Sequence, residues 1–399
     1  MSADLRDERV HFDPLTPLAL LVRTLRVFPS KCAVVYGDRR LVWQAFGELV
    51  GRQAGALVRA GVGPGDRGAV LAPNVPENQA TTFAVLQIRA VLVSINTRLN
   101  ADEVAYILAH SAAKVALVDP ELAPAVAKAS PPGSGGPRWV NLEDPVAGVV
   151  GAPLDGPTYA EFVDGAPVLP VRADIDDEER LTSINDTSGT TGRPKGVMYT
   201  HRGATLNALG EIITHRLERD STFLWTLPLF HCNGWCFPWA VTGAGGCHVM
   251  LRSVDPPTIL RLIQEERVTH FNGAPTVLTM VAYHPAAADG PPPRRVEIAT
   301  GGAPPAPAIL ERMAELDMHV THLYGLTETY GPATICQWQP EWDRLDGAAQ
   351  ATIKARQGVG TITSEETRVV DESGADVPAD GVTIGEVAIR GNNLMMGYY

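Results

Sequence analysis

The chain has 399 residues, 45% of them hydrophobic, with a formal net charge of -12 at pH 7. This length suits two or three domain-sized units with globular apolar content. The acidic balance argues against a nucleic-acid binder, which would carry a basic footprint. Taken in chain order, the N-terminus is charged and has no apolar core of a secretory leader. Residues 42–60 carry Trp43, Phe46, Leu49, Val50 and Leu57 at helical spacing, and Gly61 and the turn at 63–66 end that helix. A strand at 68–71, a helix at 78–87, a strand at 90–95, a helix at 101–110 and a strand at 113–118 are expected next. Such alternation predicts βαβ units around a largely parallel sheet.

Between 119 and 173 the composition shifts, and the run Pro131 to Pro137 reads as a flexible connector. Short strands at 181–184 and 197–199 then bracket a polar turn. A second βα series follows, with a helix after His201, strands at 222–227, 247–251, 268–272, 295–300 and 319–324, and a helix starting near Gly234. The weakly charged run 235–251 is interrupted by Pro238, Gly243, Gly245 and Gly246, and it falls short of the roughly 20 apolar residues of a membrane span. Pro256 and Pro275 stand where helices would start. Beyond Gly358, short strands with turn residues predict a small antiparallel sheet or barrel. The expected organisation is a first α/β subdomain with the connector (1–180), a second α/β subdomain holding the ligand site (181–352), and a small β-barrel subdomain (353–399). Five scattered cysteines fit a reduced, cytoplasmic setting. His231, Cys232, Cys236 and His248 lie near one another in sequence, but their spacing is too loose for a zinc site.

The turn itself, Asp186 to Val197, packs three glycines, four hydroxyl side chains, Arg193 and Lys195 into twelve residues. Glycine lets successive N–H groups face a ligand, and such N–H groups form an anion-binding concavity. Hydroxyls add neutral donors and Lys195 adds a positive charge. The composition predicts a loop that wraps nucleotide phosphates. It is not a Walker A loop, because Pro194 precedes the lysine and Gly196 follows it.

Further motifs stand at Leu227 to Gly234, Gly301-Gly302-Ala303-Pro304, Tyr324-Gly325-Leu326-Thr327-Glu328-Thr329 and Gly385 to Gly391, with Val35 to Asp38 and Ile95 to Leu99 nearer the start. In this order and spacing the chain resembles the adenylate-forming superfamily of acyl-CoA synthetases, aryl-CoA ligases, nonribosomal adenylation domains and luciferases. Phe230 to Trp235 looks most like the fatty-acyl and aryl-CoA ligases. The resemblance implies the large N-terminal core of an adenylate-forming enzyme, an α/β fold of two βα sheet subdomains plus a small antiparallel β-barrel. It places a ribose-binding Thr-Gly-Asp motif, a hinge and a C-terminal domain with a catalytic lysine beyond residue 399. Two positions depart from the pattern. Ile88-Arg89 stands where small residues are usual, and Asp186 stands where many members carry an aromatic residue.

The implied reaction is attack of a carboxylate on the α-phosphorus of ATP, giving an acyl-adenylate that is passed to coenzyme A. Thr187, Ser188, Gly189, Thr190, Thr191 and Gly192 would cradle phosphates, with Lys195 anchoring the loop or touching phosphate. Glu328 would hold Mg²⁺, which favours oxygen ligands, and Thr327 would meet the α-phosphate. Tyr324, Gly325 and Leu326, with Gly302, Ala303 and Pro304 as a flat backbone edge, would take the adenine. His231 would sit between acyl and nucleotide sites. Asn233, Gly234, Trp235, Thr276 and Gly301 would line the acyl pocket, while Trp225, Phe237 and Trp239 belong to the core. The partners implied are a small-molecule carboxylic acid and coenzyme A, with an acyl carrier protein as the alternative acceptor and a second copy of the chain as a potential homodimer partner. A homologue that binds acyl-adenylates without forming them is the non-enzymatic alternative.

Overall fold

The computed structural model describes residues 13–126, 128–129, 136–187 and 193–399. Most of the connector run at 131–137 lies outside them, as do Ser188, Gly189, Thr190, Thr191 and Gly192. Two large sheets organise the chain. One has seven strands, ordered Gly397–Tyr398, Lys195–Thr200, Leu181–Thr187, Val91–Ser94, Arg67–Leu71, Val115–Val118, Arg138–Asn141. Its interior is parallel, and Lys195–Thr200 and Gly397–Tyr398 add an antiparallel edge. The other has nine strands, ordered Val359–Gly360, Gly331–Ile335, Met318–Leu326, Val296–Thr300, His270–Asn272, Thr222–Leu224, Cys247–Val249, Cys32–Tyr36, Arg39–Val42. Its run from Met318–Leu326 to Cys32–Tyr36 is parallel.

Each large sheet takes strands from distant parts of the chain. Cys32–Tyr36 and Arg39–Val42 complete the sheet otherwise made by residues 222–360, and the phosphate-loop strands belong to the sheet of residues 67–141. The last fifty residues contribute a two-stranded antiparallel ladder, Arg368–Val370 with Glu386–Ala388. The strands on either side of that ladder join the two large sheets, so no closed barrel forms among the described residues.

The main core fills the space between the sheets. Helices Trp43–Arg59, Pro76–Gln87, His201–Thr214 and Phe237–Ala244 supply it, with Trp43, Phe46, Phe83, Phe223, Trp225, Phe237 and Trp239 fully buried. Every residue from Pro76 to Leu86 is buried, which is why that helix shows no one-sided apolar stripe. The outer faces are covered by Ala101–Ser111 on the seven-stranded sheet and by Pro256–Glu265, Pro275–Ala282 and Pro307–Glu315 on the nine-stranded one. Pro256 and Pro275 begin their helices as expected. A buried charge cluster ties the two halves: Arg252 reaches Asp119 at 2.7 Å and Asp144 at 3.2 Å, and the Tyr36 hydroxyl donates to Asp144.

Candidate active site

The strands flanking the phosphate-loop motif form an antiparallel pair that ends with Thr187 opposite Lys195. Thr187 is half-buried and Lys195 is exposed. The five residues between Thr187 and Arg193 lie outside the described set. Lys195 Nζ stands 5.0 Å from the centre of the Tyr398 ring. The Tyr398 hydroxyl donates to Glu328 Oε1 at 2.7 Å, so one phenol links two residues singled out in sequence. Backbone bonds hold this corner. Met395 N–H donates to Glu328 O at 2.9 Å, and Tyr399 N–H donates to Gly196 O at 2.7 Å.

His231 and Trp235 come from an unusual segment. Cys232, Asn233, Gly234, Trp235 and Cys236 all have positive φ, between 48° and 64°. This is a turn of left-handed helix, and the right-handed helix expected near Gly234 starts only at Phe237. A left-handed residue other than glycine costs roughly 1–2 kcal/mol, so four of them cost roughly 4–8 kcal/mol. Close packing holds the turn. Asn233 Nδ2 donates to Ser183 Oγ at 2.5 Å and to the Tyr330 hydroxyl at 2.9 Å. Asn207 Nδ2 reaches Cys236 Sγ at 3.2 Å, and a Cβ on Gly234 would meet Trp225 at 2.6 Å. The preceding loop is fixed by Asn74, whose amide donates to Trp225 O and Leu227 O and whose Oδ1 accepts from Leu229 N–H. Asn185 donates to Phe230 O at 2.9 Å.

The third wall is the end of Met318–Leu326 and the short turn Thr327–Thr329. Here the backbone folds tightly on itself, and a Cβ on Gly325 would lie 1.8 Å from Gly331 O. The three walls enclose a cavity of about 650 Å³. Thr187, His231, Trp235, Thr276, Gly301, Gly302, Gly325, Leu326, Thr327 and Glu328 all line it. Asp186, Arg98, Phe230 and Cys232 line it as well. Lys195, Ala303, Pro304 and Tyr324 stand outside the lining. Asn233 and Gly234 are buried behind the wall, and Asn233 turns toward Ser183 and Tyr330.

A family model described as "AMP-binding enzyme" matches residues 21–399. The chain belongs to the AMP-binding enzyme family. A 4-hydroxybutyrate–CoA ligase of Metallosphaera sedula is 41% identical over 97% of this chain and 71% of that protein. A peroxisomal acetate/butyrate–CoA ligase of Arabidopsis thaliana is 38% identical over 99% and 72%. Among solved structures, the inhibitor-bound N-terminal domain of FACL13 from Mycobacterium tuberculosis superposes with a TM-score of 0.83 at 28% identity, covering 96% of this chain and 91% of that one. The expected adenylate-forming core fold and the AMP-forming acid–thiol ligase activity are therefore borne out.

In this AMP-binding enzyme the charges around the cavity are uneven. Asp186 is half-buried, and removal from water pushes its carboxyl up to about 6, with His110 opposing the shift. His231 opens onto the cavity, yet the surrounding protein holds its imidazole below the ordinary value, burial acting first and the Arg98 cation second. Both effects keep His231 neutral, so it can donate from one ring nitrogen and accept at the other. The Tyr398 phenol is raised by its bond to Glu328. His248, from the loose His/Cys group, is buried between Trp225 Nε1 at 3.1 Å and Thr242 Oγ1 at 3.2 Å, which makes it a core histidine. Sequence reasoning missed Asn74, Asn185 and Tyr398. The signal for Tyr398 was present in Gly397-Tyr398-Tyr399, which reads simply as an apolar strand end. No helix among the described residues is long and apolar enough to cross a membrane.

Proposed function

We propose that this enzyme activates a short aliphatic carboxylic acid with ATP and Mg²⁺ and passes the acyl group to coenzyme A. The observation that carries the proposal is the convergence of Thr187, Thr327, Glu328, His231 and Trp235 on one cavity from the strand ends of both sheets. Ligand binding at the carboxyl ends of parallel strands is the general expectation for such sheets. Thr187 and Thr327 offer hydroxyl and N–H donors to the phosphates, and Lys195 stands opposite Thr187 on the neighbouring strand. Glu328 and Thr327 present oxygen donors, which suit a hard cation held by one carboxylate plus phosphate oxygens. Mg²⁺ there would screen phosphate charge. Gly302, exposed at φ 87° with open space where a Cβ would be, leaves room for a flat base against the strand end. Neutral His231 would hydrogen-bond the acid's carboxylate without neutralising it as a nucleophile. Trp235, packed on Gly331 and Gly301, closes the acyl side. The short-acid reading is supported by that indole wall and by the relatives at 38–41% identity, which are ligases named for 4-hydroxybutyrate, acetate or butyrate. A cytoplasmic setting belongs to the same proposal and is supported by five free cysteines.

The test is ATP–pyrophosphate exchange with the full-length gene product and a series of acids from two carbons upward, with an aromatic acid included. Exchange that is greatest with the shortest acids is expected. Acid-independent exchange, or none with any acid, refutes adenylation; a maximum with long or aromatic acids refutes the substrate class alone.

A further inference from the structure

Away from the cavity, at the opposite end of the nine-stranded sheet, two thiols meet. Cys32 begins one strand and Cys247 begins its parallel neighbour, with Val34 opposite His248. Their sulfurs are 3.5 Å apart, Cys247 Sγ–H donating to Cys32 Sγ. The pairing of Val34 with His248 sets Cys247 beside Ala33, one residue from Cys32; a strand spacing of about 4.8 Å and a rise of about 3.3 Å per residue put the two Cα atoms roughly 6 Å apart, inside the roughly 4.4–6.8 Å that a disulfide tolerates.

The same spot carries a surface hollow of about 400 Å³ lined by Lys31, Arg219, Arg267, Arg294, Asp220 and Cys247. Four cations face one carboxylate, in a protein whose net charge is -12. Arg294 is steadied by Asp220 O at 2.9 Å and Lys31 by Gly245 O at 2.7 Å. We infer that Cys32 and Cys247 form a reversible dithiol–disulfide site that reacts with a small anionic disulfide drawn in by this basic hollow. Supporting the geometry, the Cys247 hydrogen bond and the nearby Arg40 and Lys31 charges lower the Cys32 thiol to about 7, while Cys247 is raised. Cys32 is therefore the thiolate and Cys247 the resolving thiol.

The chemistry balances without a further reagent. The Cys32 thiolate attacks one sulfur of the small disulfide, breaking its S–S bond and releasing one small thiolate. Cys247 then loses its proton, and its sulfur attacks the Cys32 sulfur of the mixed disulfide and expels the second small thiolate. Two electrons pass from the protein pair to the reagent, which leaves as two thiolates, and the single proton released, that of Cys247, passes to water or to one of them. A thiol in excess reverses both steps.

The probe is 5,5′-dithiobis(2-nitrobenzoate), an anionic disulfide, mixed with the reduced native protein. The expected result is rapid release of two nitrothiobenzoates per chain, with a product lighter than the reduced protein by two hydrogens and free of adduct. Cys32→Ser should abolish the rapid phase. Cys247→Ser should release one equivalent and retain a stable adduct, which tests the same nucleophile independently. Arg219→Glu should slow the anionic reagent about tenfold while leaving neutral 2,2′-dithiodipyridine unchanged, as electrostatic steering requires. Stable adducts on the wild-type chain, or release no faster than in Cys32→Ser, would overturn the pair. Equal slowing of both reagents by Arg219→Glu would overturn the role of the hollow.

Discussion

Asp186→Asn isolates the charge that sets this phosphate-loop motif apart. In the folded chain the Asp186 carboxyl rises from the ordinary 3.8 to about 6 because the cavity edge strips it of water. The folded protein thus holds a proton between about pH 4 and pH 6 that the unfolded chain has released. Stability falls as pH rises through that window and is level above it. A shift of about 2 units at about 1.4 kcal/mol each gives a penalty near 3 kcal/mol once Asp186 is ionised. Asparagine never ionises, so the variant should be the more stable by up to about 3 kcal/mol at pH 8, with the gap closing toward pH 4. Urea unfolding of both proteins at pH 5 and pH 8 measures this, since other titrating groups cancel in the difference. The ATP KM of the variant should also fall, because a negative charge leaves the cavity proposed to hold phosphates. A gap that is the same at both pH values, or absent at pH 8, would refute the reasoning.

Glu328→Gln should depress acid-dependent ATP–pyrophosphate exchange by 100-fold or more, of the order seen on removing one stabilising group, whereas Tyr398→Phe should leave exchange largely intact and shift its Mg²⁺ dependence; a metal titration of both variants separates the two roles. His231→Ala should change the ranking of acids while the ATP KM stays close to wild type, and equal loss for every acid would argue against a position between the two subsites. Gly234→Ala adds a Cβ at φ 59° and 2.6 Å from buried Trp225. Its destabilisation should be about 2–4 kcal/mol, read from the denaturant midpoint.

What the sequence reveals here is local. Apolar periodicity and turn residues locate the strands and helices of both βα series, and Pro256 and Pro275 mark helix starts because a first-turn proline sacrifices no hydrogen bond. The Thr-Ser-Gly-Thr-Thr-Gly and Tyr-Gly-Leu-Thr-Glu motifs lead to two walls of the cavity. Sheet membership is another matter. Nothing in Cys32–Tyr36 announces a parallel partner at Cys247–Val249, because a fully buried strand reads the same beside any apolar neighbour. The left-handed turn at 232–236 is equally hidden: Cys-Asn-Gly-Trp-Cys has one glycine, and the remaining conformational cost is offset by hydrogen bonds from Asn233 to Ser183 and Tyr330 and from Asn207 to Cys236, with partners remote in the chain. Asn74 acts across the two sheets for the same reason, through partners about 150 residues away.

That turn also constrains how such a pocket changes over generations. A right-handed helix can gain or lose a residue at its end and merely rotate. A left-handed turn cannot lengthen, since each added residue with a Cβ raises its energy by roughly 1–2 kcal/mol against a total stability of about 5–15 kcal/mol. Insertions of residues with a Cβ between His231 and Phe237 therefore carry a cost that a longer right-handed helix would not. If Trp235 bounds the acyl subsite as proposed, acid preference would be set by the volume of the side chain at position 235 and of the residues across from it rather than by the length of the turn.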